Sequence, residues 1–332
     1  MTPPQGKAAN PATPLSKSRE ETPNPKEMTI ESRNQPSPGI CKQCQGSHYV
    51  LVNVDSFVHA ELCSCFNCSK CQGRGHIFLE DEKGISSMAE CECARLVRRL
   101  KKLGEAGIPG KFTGARFETY QPMDASQKLA LRIARDFVED HGSNVQGLLF
   151  MGRPGLGKTH LAVSVIKELI LNKGEDCKFI DFFQLLSDIR NGYSQDLSEQ
   201  AIINPYVAAP VLVIDELAKG RNTEWELTML DQIISSRYNA ADKITLLTTN
   251  YTDDSAIRKS GKKETHVEFG SSSGRKAQTG EETLQDKVGE RIYSRLVEMC
   301  RLVKLKGEDY RMVMEDKAAA PPRPAKKTNR TG

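Results

Sequence analysis

Three short runs hold the residues best suited to chemistry. Gly152, Arg153, Pro154, Gly155, Leu156, Gly157, Lys158 and Thr159 have the spacing G-x-x-x-x-G-K-[ST]. Glycines so placed let successive backbone N–H groups turn inward around phosphate oxygens. A helix starting there, through Lys158, Thr159 and His160, adds its positive end. Lys158 then reaches the outer phosphates and Thr159 offers a hydroxyl to magnesium. A Gly-rich turn can match this pattern by chance. The apolar run GLLFM before it and the helix-periodic THLAVSVIKELILNKG after it are the context that phosphate binding requires.

The second run, VLVIDE at 211–216, is an apolar strand with two acids at its C-terminal end. Ligands of open α/β sheets bind at that end. Asp215 suits magnesium, directly or through water, and Glu216 suits polarisation of an attacking water. ITLLTTN places Asn250 at the end of another apolar strand, where a polar side chain can orient water. Arg291 and Arg295 lie four apart in GERIYSRLVE and share a helix face. An arginine supplied by a neighbouring subunit assists phosphoryl transfer; an ordinary basic helix surface has the same look.

The third run is a cysteine repeat. In the first unit, Cys41-x2-Cys44-x-Gly46, eighteen residues separate Cys44 from Cys63-x-Cys65. In the second, Cys68-x2-Cys71-x-Gly73, nineteen separate Cys71 from Cys91-x-Cys93. Each unit supplies four thiolates, the number a closed tetrahedral zinc site needs. Disulfides, a redox pair and an iron–sulfur cluster are the competing readings. Repeated short knuckles around the strand-like YVLVNV and HIFLE favour zinc, with one site per repeat and cross-pairing of the outer pairs left open. No ligand position remains for a catalytic water, so the expected role is structural. Cys177 and Cys300 lie apart and read as small buried residues.

The elements that must position these groups follow from periodicity. From residue 125 helical and strand patterns alternate, and the strands are continuous apolar runs. That predicts an α/β fold with a parallel sheet covered on both faces. RLVKLKGEDYRMVME reads as a final strand pair. The predicted organisation is a Pro-rich tail at 1–39, a small β-rich zinc-binding domain at 40–93, and a linker helix and lead-in segment at 94–124. An ATPase domain follows at 125–315, with a mobile loop at about 252–285, and then a basic tail at 316–332.

Composition narrows the classes. Eight prolines and few large apolar residues in 1–39 cannot offset chain entropy, so disorder is expected. A net charge of +4 does not by itself indicate nucleic-acid binding. No apolar run reaches membrane-spanning length and the N-terminus lacks a secretory pattern, so no membrane association and a cytoplasmic location are expected.

Residues from about 105 to 314 resemble the DnaC/IstB-type AAA+ ATPases, which include bacterial replicative-helicase loaders and transposition helper ATPases. AGIPGKFTGARFETY, GRPGLGKTHLA, VLVIDELA, ITLLTTN and GERIYSRLVE carry the resemblance, in that order. It implies that 152–159 is a Walker A motif, 211–216 a Walker B motif and Asn250 sensor 1. It implies that Arg295 is the arginine finger, with Arg291 second, and that Phe117 to Tyr120 lie near the adenine. A helical lid is commonly missing in the family, so no lid arginine is assigned. The cysteine block resembles the zinc-binding repeats of the DnaJ co-chaperones, most closely from Cys68 to Gly75, but uses CxC as the second half of each unit and accompanies no J-domain.

The resemblance implies a helicase loader that binds ATP, Mg²⁺ and single-stranded DNA, holds two structural zinc ions, and contacts the replicative helicase through its zinc domain. Head-to-tail self-association is expected with it. The alternatives are an IstB-like transposition helper that remodels target DNA and an ATP-dependent adaptor without significant turnover.

Overall fold

A computed structural model of the chain describes residues 41–142, 146–240, 242–252 and 282–312. The segments 1–39, 253–281 and 316–332 lie outside the described residues, and with them the expectations placed there.

The cysteine region folds as two antiparallel hairpins. β1 (Tyr49–Val54) pairs with β2 (Phe57–Leu62), and β3 (His76–Glu80) with β4 (Ser86–Glu90). The first hairpin closes on Asp55 and Ser56, at φ 49° and 70°, the left-handed pair of a tight two-residue turn. α1 (Glu92–Glu105) follows, and its Leu100 and Leu103 are buried.

The core is a five-stranded sheet. β5 (Gly147–Met151), β6 (Cys177–Asp181), β7 (Val211–Asp215), β8 (Ile244–Thr249) and β9 (Cys300–Lys304) lie in the order β6-β7-β8-β5-β9, every pairing parallel. Alternation along the strands divides the core in two. Leu148, Phe150, Val211, Val213 and Leu246 face α2 (Ala125–Glu139) and α3 (Lys158–Glu168). Leu149, Met151, Leu212, Ile214 and Leu247 face α4 (Phe182–Tyr193), α5 (Glu199–Ala208) and α6 (Glu224–Ala240), with α7 (Leu284–Val288) and α8 (Glu290–Met299). The expected parallel sheet covered on both faces is present. Val58 of the first hairpin and Leu103 of α1 belong to the first of these clusters, so the cysteine region and the sheet share one core.

Three elements differ from the sequence expectation. Residues 300–312 give one strand and a short helical turn at 310–312, not a strand pair, because Gly307 at φ 122° turns the chain back across the sheet end. DKVGERIYSRLVEMC divides at Gly289 (φ 80°, ψ 159°) into α7 and α8. α5 had no sequence signal. Pro205 lies inside it and its apolar residues form no stripe, but Ser198 caps it by accepting the Ala201 N–H. Among the described residues no helical lid follows β9.

Candidate functional site

The chain leaves β5 for β6 at the far edge of the sheet and returns through β7 and β8, so β5 lies at a reversal of strand order. The crevice beyond the strand ends at such a point is where ligands bind. Gly152–Gly157 follows β5, Asp215 ends β7, and Thr248–Asn250 ends β8. The fold therefore brings the two halves of the expected phosphate site together.

Lys158 is buried, and its ammonium donates to the carbonyls of Gly152 (2.7 Å) and Arg153 (2.8 Å). Burial pushes its pKa down to about 8, against the pull of Asp215 and Glu216. Thr159 Oγ1 donates to Asp215 Oδ1 at 2.8 Å, and Thr248 Oγ1 donates to the same oxygen at 2.6 Å. Burial raises the Asp215 pKa, and these two hydroxyls act against it. Each such bond to a charged acceptor contributes about 1.5–3 kcal/mol. Thr248 Oγ1 also accepts the Glu216 N–H at 3.0 Å. Glu216 has a left-handed φ of 53°, which turns its side chain out of the strand, where it meets Lys219.

A cleft of 610 Å³ opens over these groups, a size that suits a nucleotide. Lys158, Thr159, His160, Glu216 and Asn250 line it. Pro154, Gly155, Leu156 and Gly157 form its floor, and Arg153 is not part of the lining. His160 Nε2–H donates to the Arg116 carbonyl (2.8 Å), and the ring tilts against Tyr120. Of the segment expected beside the adenine, Thr119 and Tyr120 line the cleft, whereas Phe117 is buried in the core.

Seven lining residues were not singled out from sequence: Lys111, Phe112, Gln121, Gln127, Thr248, Tyr310 and Arg311. Thr248 carried a partial signal, a hydroxyl near the C-terminal end of the apolar run ITLLTT, although Thr245 and Thr249 share that run and all six residues are buried. Tyr310 and Arg311 did not, because only the return at Gly307 brings them to the phosphate loop. Tyr310 N–H donates to the Gly155 carbonyl at 3.1 Å. Asp309 lies against Gly155, where no Cβ would fit, and holds Arg311 by two bonds to the guanidinium of 3.0 and 2.7 Å.

Arg291 and Arg295 are not among the cleft-lining residues. Both pair with Asp231 of α6, Arg295 at 2.9 Å and Arg291 at 3.3 Å. Arg295 also contacts Ser235 and lies 5.7 Å from the Tyr238 ring. Its side chain is 23% exposed, while that of Arg291 is 72% exposed.

The eight cysteines gather by repeat, Cys41, Cys44, Cys63 and Cys65 in one cluster and Cys68, Cys71, Cys91 and Cys93 in the other. The sulfurs of each lie within 4.8 Å of one another. Closest pairs are 3.7 and 3.4 Å in the first and 3.6 and 3.2 Å in the second, far beyond a disulfide bond. A tetrahedral zinc with Zn–S of about 2.3 Å sets its sulfurs about 3.8 Å apart, so the donor sets fit that ion. Backbone N–H groups of Cys44 and Gln43 draw Cys41 down to about 6, and the hydrogen bond with Cys93 draws Cys71 down to about 6. Hydrogen bonds with Cys44 and Cys71 push Cys65 and Cys93, respectively, up. Cys177 and Cys300 are buried in the sheet region, as expected.

Residues 86–255, just over half of the 332-residue chain, match the family model described as IstB-like ATP binding protein. The chain belongs to the IstB-like ATP-binding protein family. It is 27% identical over 176 residues to the replicative helicase loader DnaC of Escherichia coli (strain K12), a match covering 53% of this chain and 71% of that protein. It is 26% identical over 208 residues to the phage-like element PBSX protein XkdC of Bacillus subtilis (strain 168), covering 59% and 76%. Among solved structures, a crystal structure of the DnaC helicase loader aligns with TM-score 0.48 at 30% identity, over 59% of this chain and 99% of that one. The crystal structure of DnaI aligns with TM-score 0.44 at 17% identity, over 61% and 93%. ATP binding, as the family description states, agrees with the lining of the cleft in this IstB-like protein. No described helix is long and apolar enough to cross a membrane.

Proposed function

We propose that this IstB-like protein is an ATPase that acts as a replicative-helicase loader. The supporting observation is the Thr159–Asp215–Thr248–Glu216 network, which ties the phosphate loop to the acids. Thr159 and Asp215 would hold magnesium, which neutralises phosphate charge when bound. Lys158 meets the outer phosphates, and Glu216 takes the proton of the attacking water once it leaves Lys219. Asn250 orients that water. Arg311, at the cleft mouth on this chain, adds a second cation for the phosphates.

A neighbouring subunit supplies the remaining arginine. The exposure of Arg291 suits it to reach outward, while Arg295 is tied by Asp231 and Ser235 within its own chain. That order reverses the one implied by resemblance. Head-to-tail assembly follows, as a ring or an open spiral. The two cysteine clusters hold zinc as structural crosslinks in a region whose hairpins are too small to be stable alone.

The loader role rests on the match to the DnaC relative. Single-stranded DNA and the helicase are the proposed partners, and the cytoplasm the proposed location. The family description equally fits a transposition helper that acts on target DNA. Binding of full-length protein to the replicative helicase of the same organism, with and without ATP, discriminates the two. The loader reading predicts tight, nucleotide-dependent binding. Absence of binding in every nucleotide state, with a transposase bound instead, selects the helper. The full chain is required because Val58 of the first hairpin completes the core.

A further inference from the structure

The wall of the cleft that carries Lys111 and Phe112 has no regular structure beyond the single 3-10 turn Gly110–Phe112. Neither helix nor sheet fixes its place, so its position must come from neighbours. Two clamp it. On one side Lys167 of α3 donates to the carbonyls of Phe112 (2.6 Å), Thr113 (3.0 Å) and Ala115 (3.0 Å). On the other side lies the tip of the first cysteine hairpin. Val58 N–H donates to the Ile108 carbonyl at 2.8 Å, and Gly110 N–H donates to the Ser56 carbonyl at 2.7 Å. Phe57 bridges Pro109 in antiparallel fashion, so the hairpin continues its own pairing onto the wall. Val58 has no exposure and packs in the core beside Ile108. Asn53 lies so close to Gly110 that a Cβ there would collide with its side chain.

We propose that the hairpin tip, through Ser56 and Val58, is a positioning element of the nucleotide cleft. The hairpin sets where Lys111 and Phe112 stand, and therefore how well a nucleotide base and sugar are held. Val58 and Gly110 act through the wall and touch no nucleotide. The inference rests on the reading of the cleft as an ATP site.

Full-length, metal-loaded Val58→Ala and Gly110→Pro test it. Val58→Ala removes the buried contact. Gly110→Pro deletes the N–H given to Ser56 and sets its ring against the Asn53 side chain, so it breaks the hairpin-to-wall contact at two points, while the first helical position itself accepts proline. KM for ATP and the affinity for a fluorescent ATP analogue are measured, with Phe78→Ala on the exposed second hairpin as control and Lys158→Ala as reference. The expected result is a rise of ~5–20-fold in KM and Kd for the two variants with kcat within about threefold, and no change for Phe78→Ala. A merely structural loss would lower kcat and the melting temperature without this split. If either variant does not fold, hydrogen exchange on the wild type decides. By reciprocity nucleotide must slow exchange at the Val58 and Gly110 amides. Unchanged exchange there, or variants that bind as the wild type does, overturns the proposal. A wild type that binds no ATP, or a Lys158→Ala protein that binds it normally, condemns the ATP-site reading instead.

Discussion

Thr248 Oγ1 donates to Asp215 Oδ1 at 2.6 Å and accepts the Glu216 N–H at 3.0 Å. One hydroxyl on β8 therefore orients both acids at the end of β7. Thr248→Val keeps the shape and removes both bonds. Turnover should fall by at least ~10-fold with ATP affinity within about threefold, because the acid is misplaced while the phosphate loop is intact. Thr248→Ser should retain most activity. Equal turnover in the valine and wild-type proteins would remove Thr248 from the site.

Arg291 and Arg295 separate by where their charge is spent. Arg295→Ala leaves Asp231 with only Arg291 and the Ser235 hydroxyl and should cost about 1–2 kcal/mol of stability, seen in urea unfolding. Arg291→Ala, largely exposed, should unfold as the wild type does and still lose ~10-fold or more in ATP turnover at concentrations where subunits associate. The contrary pattern, with turnover lost only for Arg295→Ala and stability unchanged in both, would return the trans role to Arg295.

Removal of metal tests the cysteine clusters. Protein purified without chelator should carry two zinc ions per chain, and Cys71→Ser with Cys93→Ser should carry one. Chelation should lower the melting temperature by roughly 5–10 °C or more, since metal binding is folding free energy in so small a region. The same treatment should raise the Kd for ATP, because the first cluster closes the base of the hairpin whose tip supports the cleft wall. Elemental analysis that finds no metal would end this reading.

Arg311 lies at the cleft mouth, held by Asp309. Arg311→Ala should weaken ATP binding or slow turnover by ~5–50-fold, while ADP binding changes less if the guanidinium meets the terminal phosphate. Equal losses for ATP and ADP would place Arg311 away from that phosphate.

Much of this site was legible in the residues themselves. The phosphate loop and the two acids obey a local rule, a strand followed by a turn whose backbone must surround an anion, so spacing alone located them. The cysteine clusters were legible because ligation imposes short, repeated spacings. Tyr310 and Arg311 were hidden because their place depends on the Gly307 turn and a parallel β9, which are long-range facts. Arg295 was placed ahead of Arg291 by the family resemblance; helical spacing shows that the two share a face, but not that one is 23% and the other 72% exposed. Lys111 and Phe112 lie in an irregular segment fixed only by its neighbours. The helix α5 was missed because an internal proline and an unstriped apolar pattern conceal it.

ATP hydrolysis measured side by side in wild type, Lys158→Ala and Glu216→Gln tests the central claim most directly. The wild type should turn over ATP, Lys158→Ala should bind none, and Glu216→Gln should bind ATP within a few-fold of wild type while turnover falls by ~100-fold or more. Hydrolysis unchanged in both variants would contradict it.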